Sequence, residues 1–425
     1  MEEAKNLTNV LKDIAKKYGD NVVKTGVESL EVDGILSLGS PSFDFCLYGG
    51  IPEGRIIELS GAEGSGKTTT AFLIAASYQK VELARRPQTP RCIVYLDNEG
   101  TADPNWAKLL GYDMNDPKVK TILIRPEAQS AEEIFDMALQ MLKTGEVGLL
   151  IFDSIATLVP QQIANESMEK QQMGGIAKAL TRFANTALGL LRKYKATLIA
   201  INQVKDNITG YGDALLTPGG HAWKHACSSR LMFKRGDFFD SEGNILAKKD
   251  AQSPAGHIIE VYVIKTKTCK WDRKLGYMHL DYTKGIDILQ DTIDVAILLG
   301  FIDNSVQGSY TILNPDTGET MLDEKGNPIK IRGTKNVKPY FEEHKDLWKK
   351  LYDKVYEKLT QKEDPYIKSF EEMMNVNVYE KLGLVQPTNN STSNASPVSN
   401  AAVSASPTNL QPVNNQTNQV NLEEI

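Results

Sequence analysis

The chain has 425 residues, of which 41% are hydrophobic and 24% charged, with a formal net charge of −6. That composition fits a globular protein of two or three domains and argues against a membrane protein, because no run approaches the ~18 apolar residues of a span. The acidic balance offers no global sign of nucleic-acid binding, although a local basic channel is enough for it.

The first twenty residues, MEEAKNLTNVLKDIAKKYGD, are charged from the start and lack a signal-peptide core, so the protein is expected in the cytoplasm. Within them Leu7, Val10, Leu11, Ile14 and Tyr18 recur at helical spacing. This amphipathic helix needs a surface for its apolar stripe, on its own domain or on a neighbouring subunit. From about residue 35 to 291, apolar strand-like runs alternate with helical segments. The predicted strands are 55–59, 92–97, 121–125, 148–153, 196–202, 230–233 and 258–265. The first five are continuous apolar runs, as expected of strands buried on both faces of a mostly parallel sheet, with helices at 131–143 and 176–193 as crossovers. The fold class is therefore α/β. Residues 236–256 are expected to form a polar hairpin or loop. From about 301 the pattern changes, and 340–359 reads as one helix carrying Trp348, Leu351, Tyr352, Val355 and Leu359 on a single face. Beyond 385 the chain has no aromatics and no Lys or Arg, and it is expected to be disordered. Cys46, Cys92, Cys227 and Cys269 form no CxxC pair and are expected to be reduced and structural. His221, His225 and Cys227 have a spacing that can bind zinc, but no fourth ligand is evident.

Two elements carry chemistry. Gly61, Ala62, Glu63, Gly64, Ser65, Gly66, Lys67 and Thr68, followed by Thr69, fit the pattern G-x-x-x-x-G-K-[ST] between a strand and a helix. Glycines let backbone N–H groups turn inward around phosphate oxygens, and the helix N-terminus adds positive partial charge. Lys67 then reaches the β- and γ-phosphates and Thr68 ligates Mg²⁺. The second element is the strand ending at Asp153, where a Walker-B carboxylate contacts Mg²⁺ directly or through water. ATP and Mg²⁺ are the expected cofactors.

The stretch YLDNEGTADPNWAKLLGYD (95–113) resembles the segment of bacterial RecA-type recombinases that carries their catalytic glutamate, here Glu99. In the same resemblance Asp103 and Trp106 match adenine-contacting positions, with Trp106 where the family usually has tyrosine. LLIFDSIATLVP (149–160) resembles the family's Walker-B strand, and ATLIAINQV (196–204) the strand whose glutamine, here Gln203, senses the γ-phosphate. Lys265 and Lys267 match two lysines that reach ATP held by the next subunit, which implies head-to-tail stacking into a helical filament. GIDILQDTIDVAILLGFID (285–303) matches the entry to the family's C-terminal domain. His225 stands where the family often carries an aromatic at the subunit boundary. The resemblance implies a RecA-like P-loop ATPase core with a mostly parallel twisted sheet, a short N-terminal helix and a small C-terminal α+β domain. The expected divisions are 1–33, 34–300, 301–385 and a tail at 386–425.

Segments 161–175 and 205–220 match in position the family's two loops for single-stranded DNA. The residues expected to meet DNA are Lys170, Met173, Gly174, Lys178, Arg182, Lys205, Ile208, Gly219 and Gly220. The resemblance implies a DNA-dependent ATPase that forms filaments on single-stranded DNA and exchanges strands with homologous duplex. Single-strand-binding and loader proteins are candidate partners. The polar insertion and Asn/Ser-rich tail suit a phage-encoded member. One alternative is a ring-forming helicase or processing ATPase of the same superfamily, and another is a non-catalytic nucleotide-switched scaffold.

Overall fold

The structure, a computed structural model, describes residues 7–18, 34–127, 129–161, 175–206, 215–247 and 250–360. The expectations for Lys170, Met173, Gly174 and Ile208, for the linker at 19–33, and for the chain from 361 through its tail lie outside these residues.

Nine strands form one sheet. They are β1 (Ile56–Gly61), β2 (Cys92–Asp97), β3 (Thr121–Ile124), β4 (Val147–Asp153), β5 (Thr197–Gln203), β6 (Ser229–Phe239), β7 (Gly256–Thr266), β8 (Leu275–Asp281) and β9 (Gly285–Ile286). Their spatial order is β9-β8-β7-β6-β1-β5-β4-β2-β3. All pairings from β6 to β3 are parallel, and those from β6 outward to β9 are antiparallel. The α/β reading holds, with an antiparallel extension on one flank.

The helices are α1 (Leu7–Tyr18), α2 (Pro41–Cys46), α3 (Lys67–Arg85), α4 (Pro104–Leu109), α5 (Ala131–Thr144), α6 (Gly175–Tyr194), α7 (Gly220–Ala226), α8 (Ile288–Leu298), α9 (Val337–Glu343) and α10 (Lys345–Thr360). Alternate residues of the central strands serve two cores, as the two-residue strand period requires. Ile57, Leu59, Ile93, Tyr95, Ile151 and Ile199 pack with Phe72 and Ile74 of α3 on one face. Val94, Leu96, Leu150, Phe152 and Leu198 pack with Phe135 of α5 and Phe183 of α6 on the other. The α5 start is fixed by a capping box, in which Ser130 and Glu133 satisfy each other's backbone N–H. On α1, Leu7 and Leu11 are exposed.

Two expectations change. The run at 121–125 is not buried on both faces. Among the described residues its strand is the sheet edge, paired only with β2, and Ile122 and Leu123 are 43% and 40% exposed. The 236–256 stretch takes the hairpin form expected of it, because β6 and β7 continue as one antiparallel pair through Phe239 and Gly256. The single helix at 340–359 is two helices that break at His344, which takes φ −108°, ψ 59°. A third core joins Ile293, Ile302, Ile312, Phe341, Leu351 and Val355, drawn from α8, α9, α10 and a small antiparallel sheet.

Candidate nucleotide and nucleic-acid site

The parallel strands bring their carboxyl ends to one edge of the sheet, where α/β proteins bind ligands. Register decides which residues meet there. Gly61 at the end of β1 pairs with Gln203 at the end of β5, and Asp97 at the end of β2 pairs with Asp153 at the end of β4. A cavity of about 460 Å³ opens above these ends. Its floor is Gly64 to Thr69 of the phosphate loop. Gly64 and Gly66 have φ of +68° and +94°, in the left-handed region that glycine enters without strain. Gly66 is the N-cap of α3, so that helix directs its free N–H groups at the cavity. Lys67 Nζ donates to the carbonyls of Gly61 (2.9 Å) and Ala62 (2.6 Å), and burial pulls its pKa below the ordinary lysine range.

Asp153 is almost wholly buried. Its Oδ2 accepts from Tyr95 Oη at 2.7 Å and Thr68 Oγ1 at 2.9 Å, while its Oδ1 is buried with no partner among the described residues. Burial, against the hydrogen bonds from Tyr95 and Thr68, raises its pKa. An orphaned carboxylate oxygen beside a threonine hydroxyl fits a hard cation or its water ligand, so the donor set suits Mg²⁺. Glu99 follows β2. Its Oε1 accepts from Ser154 Oγ at 2.7 Å and from Gln203 Nε2 at 3.2 Å. Three strand ends thus meet at one carboxylate, an arrangement that can hold a water against a phosphate. Trp106, on α4, forms part of one wall and donates its indole N–H to Thr69 Oγ1 at 3.2 Å.

Glu63 to Thr69, Glu99, Trp106, Asp153 and Gln203 therefore come together as the sequence implies. Asp103 does not join them. It is exposed and caps α4, accepting from the Asn105 N–H at 2.8 Å. Lys265 and Lys267 lie off this cavity. Their ammonium groups hold the last carbonyls of α7, Lys265 on Lys224 (2.5 Å) and His225 (3.2 Å), Lys267 on His225 (2.6 Å). Cations there also complement the negative helix end.

Sequence reasoning missed His257, Leu280 and Tyr282, which also line the cavity. They reach it because β7 and β8 extend the sheet beside β6, and no local motif marks them. His257 Nδ1 meets Tyr282 Oη at 2.9 Å, and burial, then the Arg235 charge, lowers its pKa to about 4, so the ring is neutral at pH 7. Ser154 was also missed, although it directly follows Asp153.

The flanks of the two expected DNA loops lie together. Gly219 and Gly220 open α7, and Cβ atoms built on them would stand 3.3 Å from Leu180 Cδ1 and 3.3 Å from the Ala177 Cβ of α6, respectively. Lys178 and Arg182 are exposed on the early turns of α6. Lys205 begins a short antiparallel pair with 215–216, closing the base of the second segment.

The family described as RecA N-terminal domain matches residues 5–287. Among similar curated proteins, Protein RecA of Mycoplasma mobile is 29% identical over 360 residues, covering 84% of this chain and 97% of that protein. Protein RecA of Fusobacterium nucleatum is 32% identical over 297 residues, covering 69% of this chain and 72% of that protein. Protein RecA of Aquifex aeolicus is 30% identical over 361 residues, covering 84% and 93%.

Proposed function

The chain belongs to the RecA family, whose members are ATP-dependent DNA recombinases and DNA-dependent ATPases acting on single-stranded DNA as self-assembled filaments, and from that premise we propose how its own residues divide the work. The phosphate loop from Gly61 to Thr69 holds the triphosphate, with Lys67 neutralising its terminal oxygens. Thr68 and Asp153 hold Mg²⁺, which when bound supplies Lewis-acid stabilisation of the phosphate charge. Glu99 orients and polarises the attacking water, with its carboxylate aimed by Ser154. Gln203 reads the terminal phosphate from the end of β5. Trp106 offers its ring to the base, with His257 and Tyr282 also bordering the cavity. Lys265 and Lys267 serve the nucleotide of the next subunit, and the exposed Leu7 and Leu11 face of α1 packs against a neighbour. The chain around Lys178, Arg182, Lys205, Gly219 and Gly220 grips DNA. The protein works in the cytoplasm.

The observation that carries this reading is the bond set Ser154–Glu99–Gln203, which ties the water-activating carboxylate to the residue heading the second loop segment. A strand-exchange assay between circular single strands and linear duplex tests it. Wild type should convert substrate to joint molecules and nicked circles in the presence of ATP, and Lys67→Ala should not. Failure of the wild-type protein to form filaments or joint molecules, with ATP bound, would overturn it.

A further inference from the structure

One buried charge has no part in that scheme. Glu58 lies within β1, three positions before Gly61, and is 0% exposed. A carboxylate at such a place is strongly disfavoured unless it is paired and hydrogen-bonded. Glu58 meets the requirement with three other elements. Its Oε1 accepts from Asn202 Nδ2 on β5 at 2.9 Å and from Trp223 Nε1 on α7 at 2.9 Å. Its Oε2 accepts from Arg230 Nε on β6 at 2.5 Å.

Each partner also holds chain at one end of the segment that follows Gln203. Asn202 Oδ1 accepts from the Gln203 N–H at 3.0 Å, and Asn202 Nδ2 donates to the Pro218 carbonyl at 3.0 Å. Arg230 Nη2 donates to Thr217 Oγ1 at 3.0 Å. The buried Trp223 ring closes over Gly219, where a built Cβ would stand 2.9 Å from Cδ1. One carboxylate is therefore tied, at one remove, to the residue that opens the segment and to the three that close it.

We propose that Glu58 is a positioning residue that couples the nucleotide state to DNA binding. It fixes the Thr217–Gly219 end of the segment against the phosphate-loop strand, so that a shift of Gln203 towards the terminal phosphate moves the opening end of the segment relative to its closing end. The proposal rests on the recombinase reading and deepens it. Nothing in it needs Glu58 to touch nucleotide or DNA. Its partners are charged or N–H donors in a buried site, where losing one leaves the others mispaired, so the anchor is stiff.

The test measures the affinity of the full chain for a fluorescent oligo-dT by anisotropy, with ADP and with a non-hydrolysable ATP analogue, in wild type, Glu58→Gln and Trp223→Phe. Trp223→Phe keeps an aromatic ring and removes the N–H that Glu58 accepts, so it remains informative if Glu58→Gln does not fold. Binding of a fluorescent ATP analogue and the melting temperature are followed in parallel. An allosteric coupling of this kind is worth roughly 5- to 150-fold in affinity. The ratio of the two DNA dissociation constants should fall roughly fivefold or more in the variants while nucleotide affinity holds. Variants that lose melting temperature, or weaken DNA binding equally in both nucleotide states, with the ratio unchanged, would overturn the coupling role. A wild-type ratio of one would overturn the recombinase reading, and the coupling with it.

Discussion

Replacing Glu99 with glutamine isolates the chemistry from the scaffold. The amide oxygen of the substituted side chain can accept from Ser154 Oγ and Gln203 Nε2 as the carboxylate does, at 2.7 and 3.2 Å in the native chain. Shape and hydrogen bonds survive, while basicity and negative charge are lost. A positioned general base contributes about 10²- to 10⁴-fold to the rate. At about 1.36 kcal/mol per decade, the barrier should rise by about 2.7–5.4 kcal/mol. Affinity for ATP should stay level or improve, because a carboxylate beside the terminal phosphate repels it. The assays are steady-state ATP hydrolysis with saturating single-stranded DNA, equilibrium binding of a fluorescent ATP analogue, and thermal melting. A kcat loss below about tenfold, with affinity and melting unchanged, would remove Glu99 as the group that activates water.

Other perturbations read other parts of the molecule. Trp106→Ala should raise the KM for ATP about two- to tenfold, since aromatic stacking is worth about 0.5–1.5 kcal/mol, and Trp106→Phe should recover most of it; equal KM values in all three proteins would remove Trp106 from base binding. Gly66→Ala forces alanine to φ +94° and places its Cβ 2.6 Å from Ile259 Cδ1, which should cost about 2–4 kcal/mol and abolish nucleotide binding, as seen by denaturant titration and analogue binding. His279 is a partly buried imidazole on β8. Burial alone would lower its pKa, but the hydrogen bond to Asp291 (2.8 Å) and the charges of Asp291, Asp294 and Asp287 raise it instead. A raised folded pKa means that the ion pair stabilises fully below about pH 6.5 and fades as pH climbs through the folded value. His279→Gln should therefore be less stable by about 3 kcal/mol near pH 6, with the gap to wild type narrowing on the alkaline side; a gap independent of pH would contradict a charged histidine.

What was legible in the chain depended on whether the information was local. The phosphate loop could be read because its geometry is set by consecutive residues, glycines at the turning positions and lysine at the helix start. Asp153 could be read because an acid terminates an apolar run. Glu99 and Gln203 could not be paired by spacing, since their meeting is fixed by strand order, with β4 between β2 and β5, and by the registers Asp97–Asp153 and Gly61–Gln203. Only resemblance to a known family named them. The errors have the same origin. Ile122 and Leu123 form an apolar run like any buried strand, and nothing in the run says that no further strand will pair beyond it. The break at His344 interrupts a helical pattern that carries no glycine and no proline. Tyr282 and His257 enter the cavity through antiparallel strands far along the chain.

Glu58 shows where such reading can be extended. A charged residue within the apolar run IIEL has two possible fates: to face solvent, or to be buried with donors supplied by other elements. A strand at the centre of a parallel sheet has no solvent face, and β1 lies between β5 and β6, so the first is closed. The identity of the donors still needs topology, but their existence does not. Since the neighbouring strands end at Gln203 and begin after Thr217, any donors they provide must bracket the segment between. In this chain the buried acid beside the phosphate loop thus fastens that strand, through Asn202 and Arg230, to both ends of the segment that follows Gln203.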